Sequence, residues 1–187
     1  MRPEQPRIAP LEAAECNDEQ REILAPMARD GRLFNIFKTM INHPKLMKRW
    51  SPFAWHILHK STLTPRHREL AILRIGWRCR ATYEWSHHVE IGKSVGLSDD
   101  EIARVTAGPE APGWTPFEAT LLRAVDELRD DACITDRTWA ALARELRTEQ
   151  LMDLVFTVGN YNLVSMALNS FGVRLEEGYP GIERWEK

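Results

Sequence analysis

Cysteine is scarce in this sequence, and its positions argue against two common uses of thiols. The chain has three cysteines, Cys16, Cys79 and Cys133, which are scattered and form no CxxC pair. An odd number of isolated cysteines argues against a disulfide framework and against a zinc site with thiolate ligands. We therefore expect reduced thiols, with Cys16 and Cys133 serving as small buried hydrophobic residues.

Neither sign of charge dominates the sequence, and long apolar runs are missing. There are 25 Lys and Arg residues against 27 Asp and Glu residues, with no block of one sign that could follow a phosphate backbone. The N-terminal residues include prolines and acids where a signal peptide needs an apolar segment, and the apolar runs are far shorter than the roughly 20 residues of a membrane helix. We predict a cytoplasmic protein with no nucleic-acid partner and no membrane partner.

Strand signals are almost absent, whereas helix starts recur along the chain. We find no sustained alternation of polar and apolar residues and no Asn-Gly or Asp-Gly hairpin turn. Capping boxes begin at Asn17, Ser98 and Thr115, and Thr64 precedes a proline that suits the first turn of a helix. The sequence predicts an all-α fold in one domain over residues 1–187, with a core at about 17–175, an N-terminal arm and an extended C-terminal tail.

Two helical regions carry further expectations. Pro44, Pro52 and Pro65 are predicted to divide the N-terminal half into short helices, because proline interrupts helical hydrogen bonding. The longest helix is predicted from about Thr148 to Phe171, where apolar residues surround nearly the whole axis. Such a helix is buried on most sides, in the core or against another subunit. We therefore expect the protein to form a homo-oligomer.

The segment with the strongest chemical potential lies in the middle of the chain. Glu84 and His88 are four residues apart on a predicted helix and share one face, while His87 points about 100° away. A carboxylate can fix the tautomer of an imidazole and prepare it for proton transfer, although an exposed surface pair has the same spacing. Glu69 lies on the preceding, mostly apolar helix. If the two helices are antiparallel, joined near Cys79, Glu69 approaches His88.

The segment RELAILRIGWRCRATYEWSHHVEIGKSVGLSDDEIARV resembles the carboxymuconolactone decarboxylase family, which also includes AhpD-type alkyl hydroperoxide reductases. The likeness extends to Asn35–Trp50, Ala124–Asp131 and Asp153–Val173. This resemblance implies an all-helical AhpD-like fold and homo-oligomers, often trimers or hexamers.

The sequence departs from one of the two chemistries of that family. AhpD-like members have a CxxC pair that begins twelve residues after a glutamate and is followed by a histidine. Counted from Glu69, the two cysteine positions are Ala81 and Glu84, and the histidine position is His88. Thiol and disulfide exchange needs an attacking thiolate and a resolving partner. Disulfide-reductase chemistry by that route is therefore excluded.

Decarboxylase-like members of the family instead have glutamate at the second cysteine position and keep the histidine. The resemblance implies removal of carbon dioxide from an unsaturated lactone acid without a metal or an organic cofactor. It implies that the catalytic residues are Glu69, Glu84 and His88. We further predict that the small-molecule substrate contacts Tyr83, Trp85, Trp55 and Arg74, although core aromatic residues and a surface ion pair are the simpler interpretations.

Three alternatives remain open at this stage. A metal site could use Glu84 with His87 and His88, or His56 with His59, but neither set matches a known zinc spacing, and we expect no metal. A peroxidase using Cys79 alone would need a lowered thiol pKa, for which neighbouring arginines supply positive charge. The chain could also be a non-catalytic oligomeric binding protein, because fold does not establish activity.

Overall fold

The computed structural model describes residues 2–28 and 32–186, and this part of the chain forms nine α-helices and no β-strand. Two short 3-10 helices, Ala25–Met27 and Ile182–Trp185, complete the regular structure. The helices are α1 (Asp18–Leu24), α2 (Asn35–Met40), α3 (Pro44–His59), α4 (Pro65–Arg78), α5 (Thr82–Ser94), α6 (Asp99–Ala107), α7 (Pro116–Asp131), α8 (Asp136–Leu142) and α9 (Thr148–Phe171). The all-α prediction is confirmed.

Side-chain caps set the first residues of the helices, as the sequence predicted. Complete capping boxes begin α1 at Asn17, α6 at Ser98 and α7 at Thr115, so the backbone N–H groups of each first turn are satisfied locally. Arg66, near the start of α4, forms ion pairs with Glu101 and Glu118, the glutamates of the last two boxes. One guanidinium therefore joins the starts of three helices.

Helix α4 lies at the centre of the fold. Its residues from Glu69 to Gly76 are all buried, because α5, α6, α7 and α9 pack around it. A connection of only three residues leads from α4 into α5, which fixes the two helices as an antiparallel pair. Within this connection Arg80 has a left-handed backbone (φ 51°), and the N–H of Ala81 donates to the Gly76 carbonyl over 3.0 Å. This sharp turn places α5 against α4.

The prediction that Pro52 divides two helices is wrong, because α3 continues through it from Pro44 to His59. A proline inside a helix removes one backbone hydrogen bond but leaves the turns on either side intact. Met47 and Ile57, on opposite sides of Pro52, are both buried at 1% exposure or less. Their burial in the core holds both halves of α3 in one helix.

Cys133 and the C-terminal tail also differ from expectation. Cys16 is buried, but Cys133 is exposed, because it follows the last turn of α7 in a surface connection. The tail is extended up to its final 3-10 helix, yet it packs against the fold: Ile182 is 3% exposed, and Ser86 Oγ donates to the Pro180 carbonyl over 2.6 Å. The tail therefore covers one side of α5.

Helix α9 has the predicted bounds, but it is buried on one side only. Leu154 and Val158 face the core, whereas Met152 and Phe156 are 55% and 52% exposed. By length and composition α9 is the one described helix that could cross a bilayer, with a mean hydropathy of 1.2, a test that a core helix also passes. Half of that apolar window is buried within the fold, as in a core helix. The cytoplasmic location stays a prediction.

Candidate active site

A buried carboxylate and imidazole meet between α4 and α5. Glu69 Oε2 lies 2.7 Å from His88 Nδ1, and the two residues are 0% and 7% exposed. The other oxygen, Oε1, accepts a hydrogen bond from Arg68 Nε over 3.0 Å. A charge at this depth is tolerated only when it is paired, and both oxygens of Glu69 have partners. The antiparallel pairing of α4 and α5 therefore produces the proximity that the sequence suggested.

The hydrogen bond with Glu69 also decides which nitrogen of His88 remains available. A carboxylate only accepts hydrogen bonds, so we assign the hydrogen to Nδ1 of His88. No residue in the described ranges bonds to Nε2 of His88. In the neutral ring Nε2 is then a proton acceptor, fixed in direction by Glu69.

The second glutamate of the site lies in a different environment. Glu84 is 2% exposed, its Oε1 accepts from Ser165 Oγ over 3.1 Å, and its Oε2 has no hydrogen-bond partner in residues 2–28 and 32–186. Burial raises the pKa of Glu84 well above its ordinary value of 4.5, and the bond from Ser165 offsets this only partly. Glu84 therefore keeps its proton to a higher pH than an ordinary glutamate does.

The predicted hydrogen bond between Glu84 and His88 does not form. His88 turns towards α4, while the carboxyl group of Glu84 turns towards α9 and lies over Gly76. A Cβ atom at position 76 would come within 3.0 Å of Glu84 Oε1. The absence of a side chain at Gly76 therefore makes room for Glu84, and the two acids occupy separate parts of the site.

Sequence reasoning missed Tyr161, which connects the two parts. Its ring meets that of His88 edge to face, with centroids 4.8 Å apart, and the residue is 7% exposed. Burial, and then the proximity of Glu69 and Glu84, raises the pKa of Tyr161 well above 10. Its hydroxyl makes no hydrogen bond within the described chain, so it is available to a ligand. A polar aromatic residue in the apolar sequence of α9 was the only signal for it.

Cys79 is near the site but is held as a thiol. It is 9% exposed, and its Sγ donates to Asn162 Oδ1 over 3.2 Å. Burial raises the pKa of Cys79, although Arg129 opposes this. A reactive cysteine needs a lowered pKa and access to solvent. The environment of Cys79 therefore works against the peroxidase alternative.

The predicted aromatic contacts lie on other surfaces. Trp85 is fully buried between Trp77 and Trp185, which makes it a core residue. Tyr83 donates its hydroxyl hydrogen to Glu176 Oε1 over 2.8 Å, on the side of α5 that faces the tail. Trp55 is 53% exposed on α3. The contacts of these residues within the described chain do not support a role in substrate binding. Their contact with a substrate stays a prediction.

Arg74 is fully engaged in the fold. Its Nε and Nη2 atoms both lie 2.8 Å from the Asp126 carboxylate, and its Nη1 donates to the carbonyls of Val105 and Thr106 at the end of α6. These bonds use four of the five N–H donors of the guanidinium group and hold α4, α6 and α7 together. Arg74 is 6% exposed and committed to these contacts, so the arrangement does not favour the substrate contact that we expected from it.

Two surface depressions lie away from Glu69, Glu84 and His88. One, of about 820 Å³, is lined by Trp77 and Trp185 beside the tail, and another, of about 450 Å³, lies near Arg123. Neither is lined by Glu69, Glu84 or His88. Across the part of the chain that the structure describes, no group of three or more His, Cys, Asp or Glu side chains could hold a metal ion.

Comparison with known structures defines the class of the fold. An uncharacterised peroxidase-related protein with an AhpD core from Ralstonia eutropha JMP134 has a TM-score of 0.79 at 18% identity, over 92% of this chain and 93% of that one. A peroxidase-related protein from Silicibacter sp. TM1040 has a TM-score of 0.80 at 13% identity, over 96% of each chain. The debrominase Bmp8, solved without ligand, gives 0.72 at 16% identity, over 91% and 92% of the two chains. The fold is AhpD-like.

The family follows from the sequence match. Residues 44–127 match the model of the carboxymuconolactone decarboxylase family, a segment that contains α3 to α6 and most of α7. This segment, somewhat less than half of the chain, is therefore similar to the carboxymuconolactone decarboxylase family, as the sequence motif suggested, and it contains no CxxC pair. None of the curated proteins matches the chain.

Proposed function

We propose that this protein is a cofactor-independent acid and base enzyme acting on a small unsaturated compound with a carboxylate or a lactone. The observation that carries the proposal is the buried contact between Glu69 and His88, which leaves the Nε2 of His88 available, together with the buried Glu84, whose pKa is raised well above 4.5. An imidazole nitrogen that can accept a proton and a carboxyl group that holds its proton more tightly than usual are what proton transfer in two directions requires.

Each residue of the site has a separate task in this proposal. Glu69 and Arg68 hold the ring of His88, and Nε2 of His88 accepts a proton from the substrate. Glu84 donates a proton, and the hydroxyl of Tyr161 binds an oxygen of the substrate. The low exposure of all these residues limits water, which strengthens each electrostatic contact.

Decarboxylation is the reaction that we favour, because the family resemblance points to it. The bond between the carboxylate carbon and the conjugated system breaks, and carbon dioxide leaves without the bonding electron pair. That pair delocalises into the unsaturated lactone and then forms a C–H bond with the proton of Glu84. The carboxylate of Glu84 is reprotonated from water after product release, so no oxidant or reductant is consumed.

Peroxidase-type activity remains the second candidate, because two structural neighbours are described as peroxidase-related. It would depend on Cys79, whose burial and raised pKa oppose it. A further neighbour, a cysteine-to-alanine variant of the debrominase Bmp8, was solved with 2,3,4-tribromopyrrole, with a TM-score of 0.70 at 16% identity. That complex motivates the inclusion of small planar ring compounds among the substrates tested.

The test is a reaction in D2O with a panel of unsaturated lactone acids carrying a ¹³C-labelled carboxylate, followed by NMR. We expect release of labelled carbon dioxide and one deuteron in the product with the wild type, and neither with His88→Gln. Deuteron uptake without carbon dioxide would show isomerisation, and neither event with ring opening would show lactone hydrolysis. Equal carbon dioxide release by wild type and His88→Gln would refute the role of His88.

A further inference from the structure

Thr157 on α9 has a buried hydroxyl group without a hydrogen-bond partner. The residue is 0% exposed, and its Oγ1 is one of four buried side-chain atoms that lack a partner within the described part of the chain. Two of the others are the indole nitrogens of Trp85 and Trp185, whose rings contact each other, and the fourth is Glu84 Oε2. A buried hydroxyl left unpaired destabilises a fold, so this one needs an explanation.

Helices α4 and α9 run parallel with a nearly constant offset in sequence. Just before α4, the Thr62 carbonyl accepts a hydrogen bond from Gln150 Nε2 over 3.1 Å, and the two residues are 88 positions apart. Just after α4, the Cys79 carbonyl accepts from Asn169 Nδ2 over 3.1 Å, across 90 positions. Both helices have the same rise per residue, so the offset also holds between these two contacts. A residue of α9 is therefore level with the α4 residue that lies 88 to 90 positions before it.

This offset places Thr157 beside the candidate active site. Thr157 is level with residues 67–69 of α4, the turn that ends in Glu69, and Glu69 lies 2.7 Å from His88. Thr157 also lies one turn before Tyr161 on the same face of α9, and the ring of Tyr161 meets that of His88. Long side chains on a helix lean back towards its N-terminus, so Tyr161 extends over the turn of Thr157. Two hydroxyl groups without partners in the described chain therefore lie on the face of α9 that borders His88.

The charges around these two hydroxyl groups favour an uncharged ligand group. No Asp, Glu, Lys or Arg occurs at positions 154–173, so this part of α9 brings no cation to the site. Arg68 on α4 is already paired with Glu69. Burial, and then the proximity of Glu69 and Glu84, raises the pKa of Tyr161, so the field at its hydroxyl disfavours negative charge. An anionic group would be repelled here, whereas a carbonyl oxygen would not.

We propose that Thr157 is a substrate-binding residue, whose hydroxyl and that of Tyr161 donate hydrogen bonds to one uncharged oxygen of the substrate. A carbonyl oxygen has two lone pairs and can accept both bonds. In an unsaturated lactone acid this oxygen is the carbonyl of the lactone and not the carboxylate. The two hydroxyl groups therefore select ring compounds with a carbonyl over those without one. The inference rests on the proposed function for the place of the substrate, but binding of a neutral lactone needs no turnover.

The binding experiment titrates γ-butyrolactone, a neutral five-membered lactone, into the full chain and follows it by ligand-observed NMR. Tetrahydrofuran, the same ring without the carbonyl oxygen, is the control ligand, and the wild type should bind it more weakly. Thr157→Val keeps the shape of the side chain and should weaken lactone binding about tenfold, because the bound carbonyl loses a hydrogen bond. It should leave tetrahydrofuran binding unchanged. Thr157→Ser retains the hydroxyl and should bind the lactone within about threefold of the wild type.

Folding stability separates a ligand-binding threonine from a structural one. Thr138 on α8 is the matched control, since it is 3% exposed and its Oγ1 donates to Glu127 Oε1 over 2.7 Å. Thr138→Val breaks this bond and should lower the midpoint of chemical denaturation, with lactone binding unchanged. Thr157→Val removes a hydroxyl that has no bond in the free protein, so it should raise the midpoint.

Three outcomes would overturn the inference. One is a Thr157→Val variant that binds γ-butyrolactone as tightly as the wild type. Another is a loss of stability in Thr157→Val as large as that in Thr138→Val, which would show that the hydroxyl has a structural bond. The third is a wild type that does not prefer γ-butyrolactone to tetrahydrofuran. Failure of the proposed function looks different: no lactone acid releases carbon dioxide, while lactone binding and its dependence on Thr157 persist.

Discussion

The two faces of α5 offer nearly the same bond in different surroundings. On the inner face His88 bonds to Glu69, and on the outer face His87 bonds to Glu176, each at 2.7 Å. The outer pair is surrounded by aromatic rings, including Tyr179, and joins the C-terminal tail to α5. The inner pair is buried and meets the ring of Tyr161. A short contact between histidine and carboxylate therefore does not by itself define a function.

The remaining partners of each carboxylate separate the two faces. Glu176 is half buried, which alone would raise its pKa, but hydrogen bonds from His87, the Asn35 backbone and Tyr83 lower that pKa to about 2. Its oxygens are occupied by three structural partners, two on α5 and one at the start of α2. On the inner face Glu84 keeps an oxygen without a partner in the described residues. A buried oxygen without a hydrogen-bond partner can accept a hydrogen bond from a ligand. The inner face is therefore the one that can bind a ligand.

The largest expected difference between the faces is in activity. His88→Gln should lower kcat/KM for the responsive lactone acid by roughly 10² to 10⁴, because the positioned proton acceptor is lost. His87→Gln, the matched control one residue away, should leave kcat/KM within about threefold of the wild type. Steady-state kinetics on both variants makes the comparison. Equal losses would mean that α5 acts only through its structure.

Glu84→Gln tests the second group of the inner face and should reduce kcat/KM by about 10², since the amide keeps the shape but donates its hydrogen poorly as an acid. In the wild type the rate should fall on the alkaline side, as pH rises through the raised pKa of Glu84. That descending limb should vanish from the pH profile of the variant. A limb that persists unchanged would assign it to another group.

A substitution on the outer face should change the stability of the protein. Glu176→Gln should lower the free energy of unfolding by about 2 kcal/mol, because charged hydrogen bonds from two segments weaken together. Limited proteolysis should then cut the tail faster. The contribution of Glu176 is present above its ordinary pKa of 4.5 and is lost as pH falls through about 2. Chemical denaturation at pH 7 and pH 2 should show a smaller gap between variant and wild type at pH 2.

Glu84 should have the opposite pH dependence in the same denaturation experiment. Its folded pKa lies above the unfolded value, so its contribution is complete below pH 4.5 and is lost as pH rises through the raised value. Glu84→Gln should therefore be more stable relative to the wild type at pH 8 than at pH 4. A constant difference across this range would contradict a raised pKa of Glu84 in the folded protein.

The smallest expected effect is that of Cys79. Cys79→Ser should keep kcat/KM for decarboxylation within about twofold, because the thiol takes no part in the proposed proton transfers. Peroxide consumption by the wild type should be low and equally low in the variant. Peroxide turnover that disappears in Cys79→Ser would instead favour the peroxidase alternative.

The sequence predicted those features of the fold that depend on residues close together in the chain. Capping boxes at Asn17, Ser98 and Thr115 specify helix starts within a single turn, and the short connection after α4 brings Glu69 to His88. Contacts between distant segments could not be read in this way. The bond from Ser165 to Glu84 spans 81 positions, and a lone serine in an apolar helix gave no sign of its partner.

Pro52 shows the other source of error. A local rule for proline was overridden by burial of Met47 and Ile57, which the sequence does not reveal. The side-chain direction of Trp55, which is 53% exposed on α3, likewise could not be read from its position in the sequence. Helix existence is thus encoded locally, whereas the direction in which a side chain points depends on the packed neighbours.

The space above Gly76 links two positions that face each other across the turn between α4 and α5. A Cβ atom at 76 would come within 3.0 Å of the carboxyl oxygen of Glu84, so a larger residue there would have to displace that carboxyl group by a few tenths of an ångström. A shorter side chain at position 84 would remove this constraint. The residues that evolution tolerates at positions 76 and 84 should therefore depend on each other.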